Sequence, residues 1–250
     1  MNATWSEAKA RVSHRLATHL RVEPFRLRNK TPIVSFTFDD IPKSAATTGA
    51  GILEDHGARG TFYVSGGLVG ATSPHWAMVE AQDIVALHNN GHEIGCHTFS
   101  HRRACDLDAR SLAKEIERNR GYLRTLEPSI QVESFAYPFG YGSIVRKRQL
   151  KNEFKSCRSI APGVNSGTVD LQFLRAIPLI DQRIDRGRIE RAFDEALNTN
   201  GWLIFYSHDV AGRPSPYGCS PALMNHALEA ASIRKIPVLN MAEASRCVGA

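Results

Sequence analysis

Two histidines four residues apart are the residues best suited to chemistry in this sequence. His97 and His101 enclose the tripeptide Thr-Phe-Ser, and on a helical turn that spacing places two imidazoles on the same side. Imidazole nitrogens are common ligands of divalent metals in proteins. No glutamate follows the first histidine, so the base of the HExxH metalloproteases is absent. Such a pair also occurs by chance, so a metal site requires further ligands.

Adjacent carboxylates provide a second signal. Asp39 and Asp40 directly follow the apolar run 33–38, and two buried carboxylates side by side are unfavourable unless a positive charge lies near them. One carboxylate and two histidines make three protein ligands with an open position, which is typical of a catalytic metal site. The other carboxylate is then free to act as a base. The alternative is a solvated turn in which Asp40 caps the next helix.

A third signal is His208, which follows the apolar run 203–206 and Ser207. A histidine at the end of a strand can also be a structural hydrogen-bonding residue. The carboxyl ends of parallel strands meet on one rim of a barrel, and active sites of such folds assemble there. The aspartate pair, the histidine pair and His208 are all predicted to lie on that rim.

The elements that position these residues alternate along the chain. Short apolar runs predict strands, and apolar residues three or four apart predict helices. The predicted strands are 33–38, 61–64, 92–96, 133–137, 155–160, 174–180, 202–206 and 237–240. The predicted helices are 5–20, 44–56, 78–90, 107–126, 189–197 and 221–234. Repeated strand-then-helix order favours a parallel sheet, and seven or eight such units favour an α/β barrel.

The composition is that of a globular protein. The chain has 250 residues, 42% hydrophobic and 22% charged, and can bury a full core within one domain. Its five cysteines form no CxxC pair and no dense pattern, so a disulfide scaffold is not expected. Neither a secretory leader nor an apolar run of about 18 residues is recognised. We therefore expect a cytoplasmic protein without a transmembrane segment, and the oligomeric state stays open.

Most of the net charge of +6 lies in residues 1–30, which hold seven Lys or Arg and two Glu. The same segment carries apolar residues at helical spacing, namely Trp5, Ala8, Val12, Leu16 and Leu20. We predict a basic, amphipathic helical extension that can contact an anionic surface such as lipid or polysaccharide. The alternative is a solvated helix face packed on the barrel. A nucleic-acid partner is not expected, because no recognised reading motif is present.

Four ordered motifs give the sequence a family resemblance. They are Thr37-Phe-Asp-Asp40, Gly91-His-Glu-Ile-Gly-Cys-His97-Thr-Phe-Ser-His101, Phe135-Ala-Tyr-Pro-Phe-Gly140 and Leu203-Ile-Phe-Tyr-Ser-His208. Over about residues 31–240 they resemble the polysaccharide deacetylases, also called the NodB-homology family or carbohydrate esterase family 4. The resemblance implies a catalytic domain over 31–250, folded as a distorted (β/α) barrel of about seven parallel strands. It also implies a hydrolase that removes N-acetyl groups from a sugar polymer or oligosaccharide and releases acetate.

The resemblance also implies roles for individual residues. Asp39 resembles the family's catalytic base, and His208 resembles its general acid. One divalent metal, usually zinc with cobalt or nickel as alternatives, would have three ligands: Asp40, His97 and His101. The third motif would line the substrate groove with Tyr137, Pro138 and Phe139. The Phe139 N–H would face the oxyanion.

Two features depart from the family pattern. Many members have an arginine in the third motif that orients the base, whereas Ala136 stands at that position here. Arg175 is our candidate substitute, and the alternative for it is an ordinary surface arginine. The aspartate that usually pairs with the acidic histidine also lacks a clear counterpart. Asp170 and Asp181 are the candidates for that position.

Other functions remain open from the sequence alone. A related barrel with the same metal cluster could act on another amide, as a deformylase or a hydrolase of small cyclic amides. A glycan-binding relative without catalysis is a further alternative. The presence of a base, three metal ligands and an acid favours an enzyme over that alternative.

Overall fold

The structure, a computed structural model, describes residues 2–22 and 24–250, and within 2–10 it describes the backbone alone. The strands are β1 (Pro24–Arg26), β2 (Ile33–Asp39), β3 (Thr61–Val64), β4 (Glu93–Cys96), β5 (Ser134–Ala136), β6 (Ser156–Arg158), β7 (Thr168–Asp170), β8 (Ile177–Pro178) and β9 (Trp202–Ser207). The helices are α1 (Asn2–His19), α2 (Ala50–Asp55), α3 (Ala81–Asn89), α4 (Ala109–Leu126), α5 (Ile144–Leu150), α6 (Arg186–Thr199), α7 (Pro221–Ile233) and α8 (Met241–Cys247). A π-helical turn, Ala45–Gly49, precedes α2.

A seven-stranded parallel sheet forms the centre of the molecule. Its strand order is β6-β5-β4-β3-β2-β9-β8. The segment 174–178 connects the two edges, because Leu174 exchanges backbone hydrogen bonds with β6 whereas β8 pairs with β9. The sheet therefore curls toward closure. The predicted barrel of about seven parallel strands is confirmed.

Apolar side chains cover both faces of the sheet. Every residue of β2 and β9 is buried, as expected for parallel strands with helices on one side and the barrel interior on the other. The outer layer packs the sheet against α2, α3, α6 and α7 through Phe36, Phe38, Leu53, Ile84, Phe193, Phe205 and Leu228. The interior is filled by Ile33, Tyr63, Ala136, Leu174, Trp202, Ile204 and Tyr206. Burial on both faces explains why the strands are uninterrupted apolar runs in the sequence.

The N-terminal helix α1 packs beside the barrel. It contacts α5 and the short turn Ala104–Asp106, and Ala17 is its buried anchor. The predicted apolar row lies on the other side, where Val12, Leu16 and Leu20 are exposed. The side chains of Trp5 and Ala8, which belong to the same prediction, lie outside the described residues. Among the described residues, no helix is both long and apolar enough to cross a bilayer.

Several elements differ from the predictions. The predicted strand 237–240 makes a single parallel bridge, between Val34 and Val238. The basic helix α5 and the short helix α8 were not predicted, because seven residues are too few to show a helical period. The small antiparallel sheet of β1 and β7 was also missed. Its three-residue strands are short and lie far apart in the chain.

Candidate active site

The carboxyl ends of the strands meet at one rim, and the residues with candidate chemical roles lie there. Asp39 ends β2, and Asp40 follows it. His97 directly follows β4, and His208 directly follows β9. A cavity of about 480 Å³ opens at this rim and is lined by these residues together with His101. The chain thus brings the three polar sequence clusters into one cavity.

Asp40, His97 and His101 form a compact cluster. Asp40 Oδ1 lies 3.1 Å from His101 Nε2 and 3.6 Å from His97 Nε2. His97 Nδ1 donates a hydrogen bond of 2.8 Å to the carbonyl of Ala136, and since a carbonyl can only accept, the proton of the neutral ring is on Nδ1. Burial lowers the pKa of His97 to about 3. The ring is therefore neutral, and the lone pair of Nε2 points at the cluster.

This donor set fits a divalent cation. Asp40 Oδ1 is buried and has no hydrogen-bond partner among the described atoms, and burial raises the pKa of Asp40 to about 6. At neutral pH, an ionised carboxylate and the unprotonated Nε2 of His97 face each other, and both are acceptors. A cation between them would convert this repulsion into attraction. One carboxylate and two imidazoles also leave a position open for a reactant, as catalytic metal sites do.

The buried Glu115 of α4 holds the turn that carries the two histidines. Its carboxylate accepts hydrogen bonds from the backbone N–H groups of Phe99 (3.0 Å) and Ser100 (2.7 Å). His101 and Asp40 have φ angles of 51° and 58°, a conformation that destabilises a non-glycine residue by about 1–2 kcal/mol. Backbone strain is therefore concentrated at two of the candidate ligands. Such strain is common at functional sites, where the surrounding structure holds it.

Asp39 is held by a fully buried arginine that was not predicted from the sequence. Arg158 Nη2 donates to Asp39 Oδ1, and the guanidinium lies between the rings of Tyr63 and Tyr206, 5.3 Å from each centroid. Burial acts to raise the pKa of Asp39, but the positive charge of Arg158 is the largest opposing contribution and the pKa lies below its ordinary value. Asp39 is therefore ionised at neutral pH. The arginine also fixes its orientation.

The register of the sheet explains why Arg158 can occupy this place. Ala136 of β5 is paired with Arg158 of β6, so the cation missing from the third motif comes from the neighbouring strand at the same level. Arg175, our candidate substitute, lies elsewhere. Its guanidinium donates to the carbonyl of Pro162 (2.9 Å) and lines a separate cavity of about 300 Å³ between the end of α1 and β7. The structure thus places Arg158, and not Arg175, against the candidate base.

His208 is oriented by a backbone carbonyl. Its Nδ1 donates to the carbonyl oxygen of Tyr217 at 3.2 Å, which leaves Nε2 facing the cluster, 4.0 Å from Asp40 Oδ2. The loop that presents this carbonyl is closed by the buried Asp209, whose carboxylate accepts hydrogen bonds from the N–H and hydroxyl of Ser215. A carbonyl carries only a partial negative charge. The Tyr217 carbonyl therefore fixes the orientation of the His208 ring without placing a full negative charge beside it.

The two aspartates considered as partners of His208 have other partners. Asp170 forms a buried ion pair with Lys147 at 2.7 Å. Asp181 accepts hydrogen bonds from the N–H and the hydroxyl of Ser220, before α7. Both therefore serve the fold in this structure.

The third motif contributes Phe139 and Gly140 to the cavity wall and two further residues to its support. Tyr137 is fully buried and its hydroxyl donates to the carbonyl of Gln172 (2.8 Å), and Pro138 is buried beside it. Phe139 is 55% exposed, has a φ of 58° and lies with its ring 4.5 Å from that of His101. Phe139 thus lines the cavity. Tyr137 and Pro138 support the loop from beneath.

An aromatic wall faces the cluster of Asp40, His97 and His101. The ring of Trp76 lies 5.7 Å from that of His208 and 6.3 Å from that of Tyr217, and the latter two rings are 5.7 Å apart. Ile160 and Ile180 add apolar surface to the same cavity. The cavity therefore combines aromatic faces with a few converging polar groups, as small-molecule sites do. Trp76 and Tyr217 were missed because they lie in loops without a recognisable motif.

The family model for polysaccharide deacetylases matches residues 26–156, which is more than half of the chain. The matched part contains the first three motifs, and both Arg158 and His208 lie beyond its end. A chitin deacetylase of Pestalotiopsis sp. is 29% identical over 82 residues, which cover 33% of this chain and 26% of that protein. The chain spans about a quarter or less of the length of the curated relatives it matches.

Solved structures of low sequence identity share the fold. The chitin deacetylase from the fungal pathogen Colletotrichum lindemuthianum is 16% identical, with a TM-score of 0.65 over 92% of this chain and 93% of that chain. A family 4 acetyl xylan esterase from Clostridium thermocellum, in complex with a cobalt ion, is 21% identical, with a TM-score of 0.58 over 85% of this chain and 89% of that chain. Because the family model covers more than half of the sequence and the fold agrees with it, the chain belongs to the polysaccharide deacetylase family.

Proposed function

We propose that the protein is a metal-dependent deacetylase that hydrolyses the N-acetyl group of an N-acetylated sugar polymer or oligosaccharide and releases acetate. One observation carries the proposal. The ionised Asp39, the three-ligand cluster and His208 all open into the same aromatic cavity. An amide resists water because its carbonyl is a weak electrophile and its amine is a poor leaving group. The three-ligand cluster and Asp39 would act at the carbonyl end of the amide, and His208 would act at its nitrogen end.

Asp40, His97 and His101 would hold the metal. When bound, a divalent metal polarises the acetyl carbonyl and can lower the pKa of water to about 7. Zinc suits a set of one carboxylate and two imidazoles, and cobalt and nickel accept the same donors. The acetyl xylan esterase of the same fold, whose structure is a complex with a cobalt ion, supports a metal-dependent activity.

Asp39 would accept the proton of the attacking water. Its orientation is fixed by Arg158, and its lowered pKa keeps it ionised. A base with a low pKa takes a proton efficiently only from a water that is itself acidified. The pairing of Asp39 with Arg158 is therefore productive when the neighbouring cluster is loaded with metal.

His208 would protonate the departing nitrogen. Its Nδ1–H is engaged by the Tyr217 carbonyl, so Nε2 faces the cavity and would deliver its proton from the imidazolium form of the ring, which returns to neutral. The backbone N–H of Phe139 would stabilise the oxyanion, since donors aimed at developing charge lower the barrier. The left-handed backbone at Phe139 sets the direction of the peptide groups in this loop.

The cavity wall supports a sugar substrate. Trp76, Tyr217 and Phe139 present aromatic surface around the polar cluster. A pyranose ring has apolar C–H faces that pack on aromatic rings and polar edges that need hydrogen bonds. Oligomers of N-acetylglucosamine and fragments of peptidoglycan therefore serve as the first substrates to test.

The test measures acetate release by zinc-loaded protein from chitin oligomers and peptidoglycan fragments, and formate release from N-formylated glucosamine oligomers. We expect acetate release, abolished in His97→Ala together with the bound metal. His208→Ala should keep the metal and lose about 10²- to 10⁴-fold in rate, the usual contribution of a positioned acid. Release of formate from the formylated oligomers, without release of acetate from the acetylated ones, would support a deformylase. Metal-loaded protein that binds the oligomers without turnover would support the glycan-binding alternative.

A further inference from the structure

The outward surface of α1 consists of two neighbouring rows of side chains. Successive residues of a helix are rotated by about 100°, so residues four apart form a row. The apolar row is Val12, Leu16 and Leu20, which are 60%, 47% and 51% exposed. The basic row is Arg11, Arg15 and His19, which are also exposed. Single exposed apolar residues are ordinary, whereas a row of three marks a contact surface.

The inward side of α1 fixes this orientation. Ala17 is buried, and the ring of His14 packs 5.2 Å from Tyr141 and 5.8 Å from Phe173. The buried Lys147 Nζ donates to two carbonyls at the end of the helix. The apolar row therefore cannot turn toward the core. Since Tyr141 also lines the catalytic cavity, the outward rows lie on a helix that borders it.

The charge around the rows is mostly positive. Residues 11–22 contain no Asp or Glu, and residues 1–30 carry seven Lys or Arg against two Glu. Helix α5, which contacts α1, adds the exposed Arg148 and the half-buried Arg146. The surface thus combines large apolar side chains with cationic ones, and Glu7, about one turn before Arg11, is the single acidic residue in the sequence of α1.

We propose that this face of α1 docks on a lipid bilayer that carries anionic headgroups. The apolar row would enter the boundary between headgroups and acyl chains, while the arginines would lie at the headgroup phosphates, as in interfacial amphipathic helices. A nucleic acid would use the basic row alone and leave the apolar row in water. The presence of both rows side by side therefore favours a bilayer. This inference does not depend on catalysis.

The test is co-sedimentation of the full chain with vesicles of phosphatidylcholine alone or of equal parts phosphatidylcholine and phosphatidylglycerol. We expect binding to the anionic vesicles, little binding to the neutral ones, and weaker binding as salt screens the charges. Arg11→Gln/Arg15→Gln should lower the affinity at low salt by about fivefold per arginine. Leu16→Asn/Leu20→Asn should lower it by roughly tenfold or more per leucine at any salt.

Ile233→Asn is the matched control. Ile233 is 79% exposed at the end of α7, a helix that packs on α2 and α6, so its change should leave vesicle binding and the melting temperature unaltered. The leucine variant should also keep its melting temperature, because both side chains already face water. The proposal is overturned if anionic vesicles do not bind the protein, or if Ile233→Asn weakens binding as much as the leucine variant. Binding of duplex DNA that survives the leucine changes, with no vesicle binding, would identify a nucleic-acid surface instead.

Discussion

Two buried ion pairs in this molecule join similar groups in different surroundings. Arg158 contacts Asp39 at the rim of the candidate active-site cavity, and Lys147 contacts Asp170 beside the end of α1. Both cations are fully buried. The pairs differ in how completely their hydrogen-bonding groups are satisfied. The less satisfied pair lies at the candidate site, whereas the fully satisfied pair stabilises the fold.

The pair of Lys147 and Asp170 is closed. An ammonium group has three donors, and Lys147 Nζ finds three acceptors at 2.7 Å: the carboxylate and the carbonyls of Ala17 and Leu20. Asp170 accepts two backbone N–H groups in addition. Both residues also line the cavity of about 300 Å³ beside β7, but the ammonium group has no donor left for a reactant. The pair fastens α1 to the barrel.

The pair of Arg158 and Asp39 is incomplete. The Nε of Arg158 is buried without a hydrogen-bond partner in the described part of the chain, and Asp39 lines the cavity. Buried polar groups are nearly always satisfied, so an exception asks for an explanation. The explanation here is that Arg158 holds one oxygen of Asp39, while the Asp39 carboxylate stays available to a reactant in the cavity. An ion pair with an unsatisfied group beside a cavity is therefore a better sign of function than burial or a neighbouring cavity alone.

Asp39→Asn should have the largest effect of these variants, and that effect should be a loss of activity. The amide keeps an oxygen for Arg158 but cannot take a proton, so acetate release should drop by about 10²- to 10⁴-fold. Zinc content and melting temperature serve as controls and should change little, because Asp40, His97 and His101 are intact. A variant that retained activity within tenfold of the parent would rule out Asp39 as the base.

Lys147→Met should have the next largest effect, and that effect should be a loss of stability. Removal of the cation leaves the buried Asp170 charge uncompensated, which lowers the free energy of unfolding by about 3–5 kcal/mol. Urea unfolding measures this loss, while acetate release per folded molecule should stay near that of the parent.

The double variant Lys147→Met/Asp170→Asn sharpens the test. Asparagine keeps an acceptor for one of the two backbone N–H groups and removes the charge, so part of the lost stability should return. Failure of the double variant to recover would show that the single variant had disrupted packing instead of leaving a lone charge.

Arg158→Lys should lower the rate of deacetylation by about 10- to 100-fold, as misplacement of a reacting group by about 1 Å does. Lysine keeps the charge but lacks the planar fork that fixes the carboxylate. If the arginine acts by positioning Asp39, the loss should appear in kcat with KM nearly unchanged, and Arg158→Met should be worse than Arg158→Lys. Equal loss in the two variants, with a lower melting temperature in both, would indicate a purely structural role.

The contrast between the pairs also shows which parts of the site the sequence could predict. Asp40, His97 and His101 belong to short local motifs at strand ends, and the rule that parallel strands share a rim placed them together. Arg158 contacts a residue 119 positions away, and only the pairing of β5 with β6 reveals that it replaces the third-motif cation. Its one local signal was a charged residue inside the predicted strand 155–160.

The roles of backbone groups and the orientation of helix faces were likewise not predictable from the sequence. The carbonyl of Tyr217 orients His208, but a carbonyl is present in every residue and carries no sequence signal. The periodicity of α1 predicted the helix, whereas which side faces the barrel depended on contacts of His14 and Ala17. Alternation of strands and helices therefore predicted the barrel. Register and packing direction required the structure.

The exposed ion pair of Lys43 and Asp83 should give the smallest effect on stability. It tests whether burial is the reason for the large effect expected of Lys147→Met. Lys43 lies 3.7 Å from Asp83 and its side chain is about half exposed (47%), so water already solvates the charge. Lys43→Gln should change the free energy of unfolding by less than about 1 kcal/mol and leave acetate release unaltered. Because Asp83 also accepts the N–H of Glu80 at the start of α3, the lysine is the partner to change. A loss as large as that in Lys147→Met would mean that removing any positive charge destabilises this protein, and the contrast between open and closed pairs would then lose its basis.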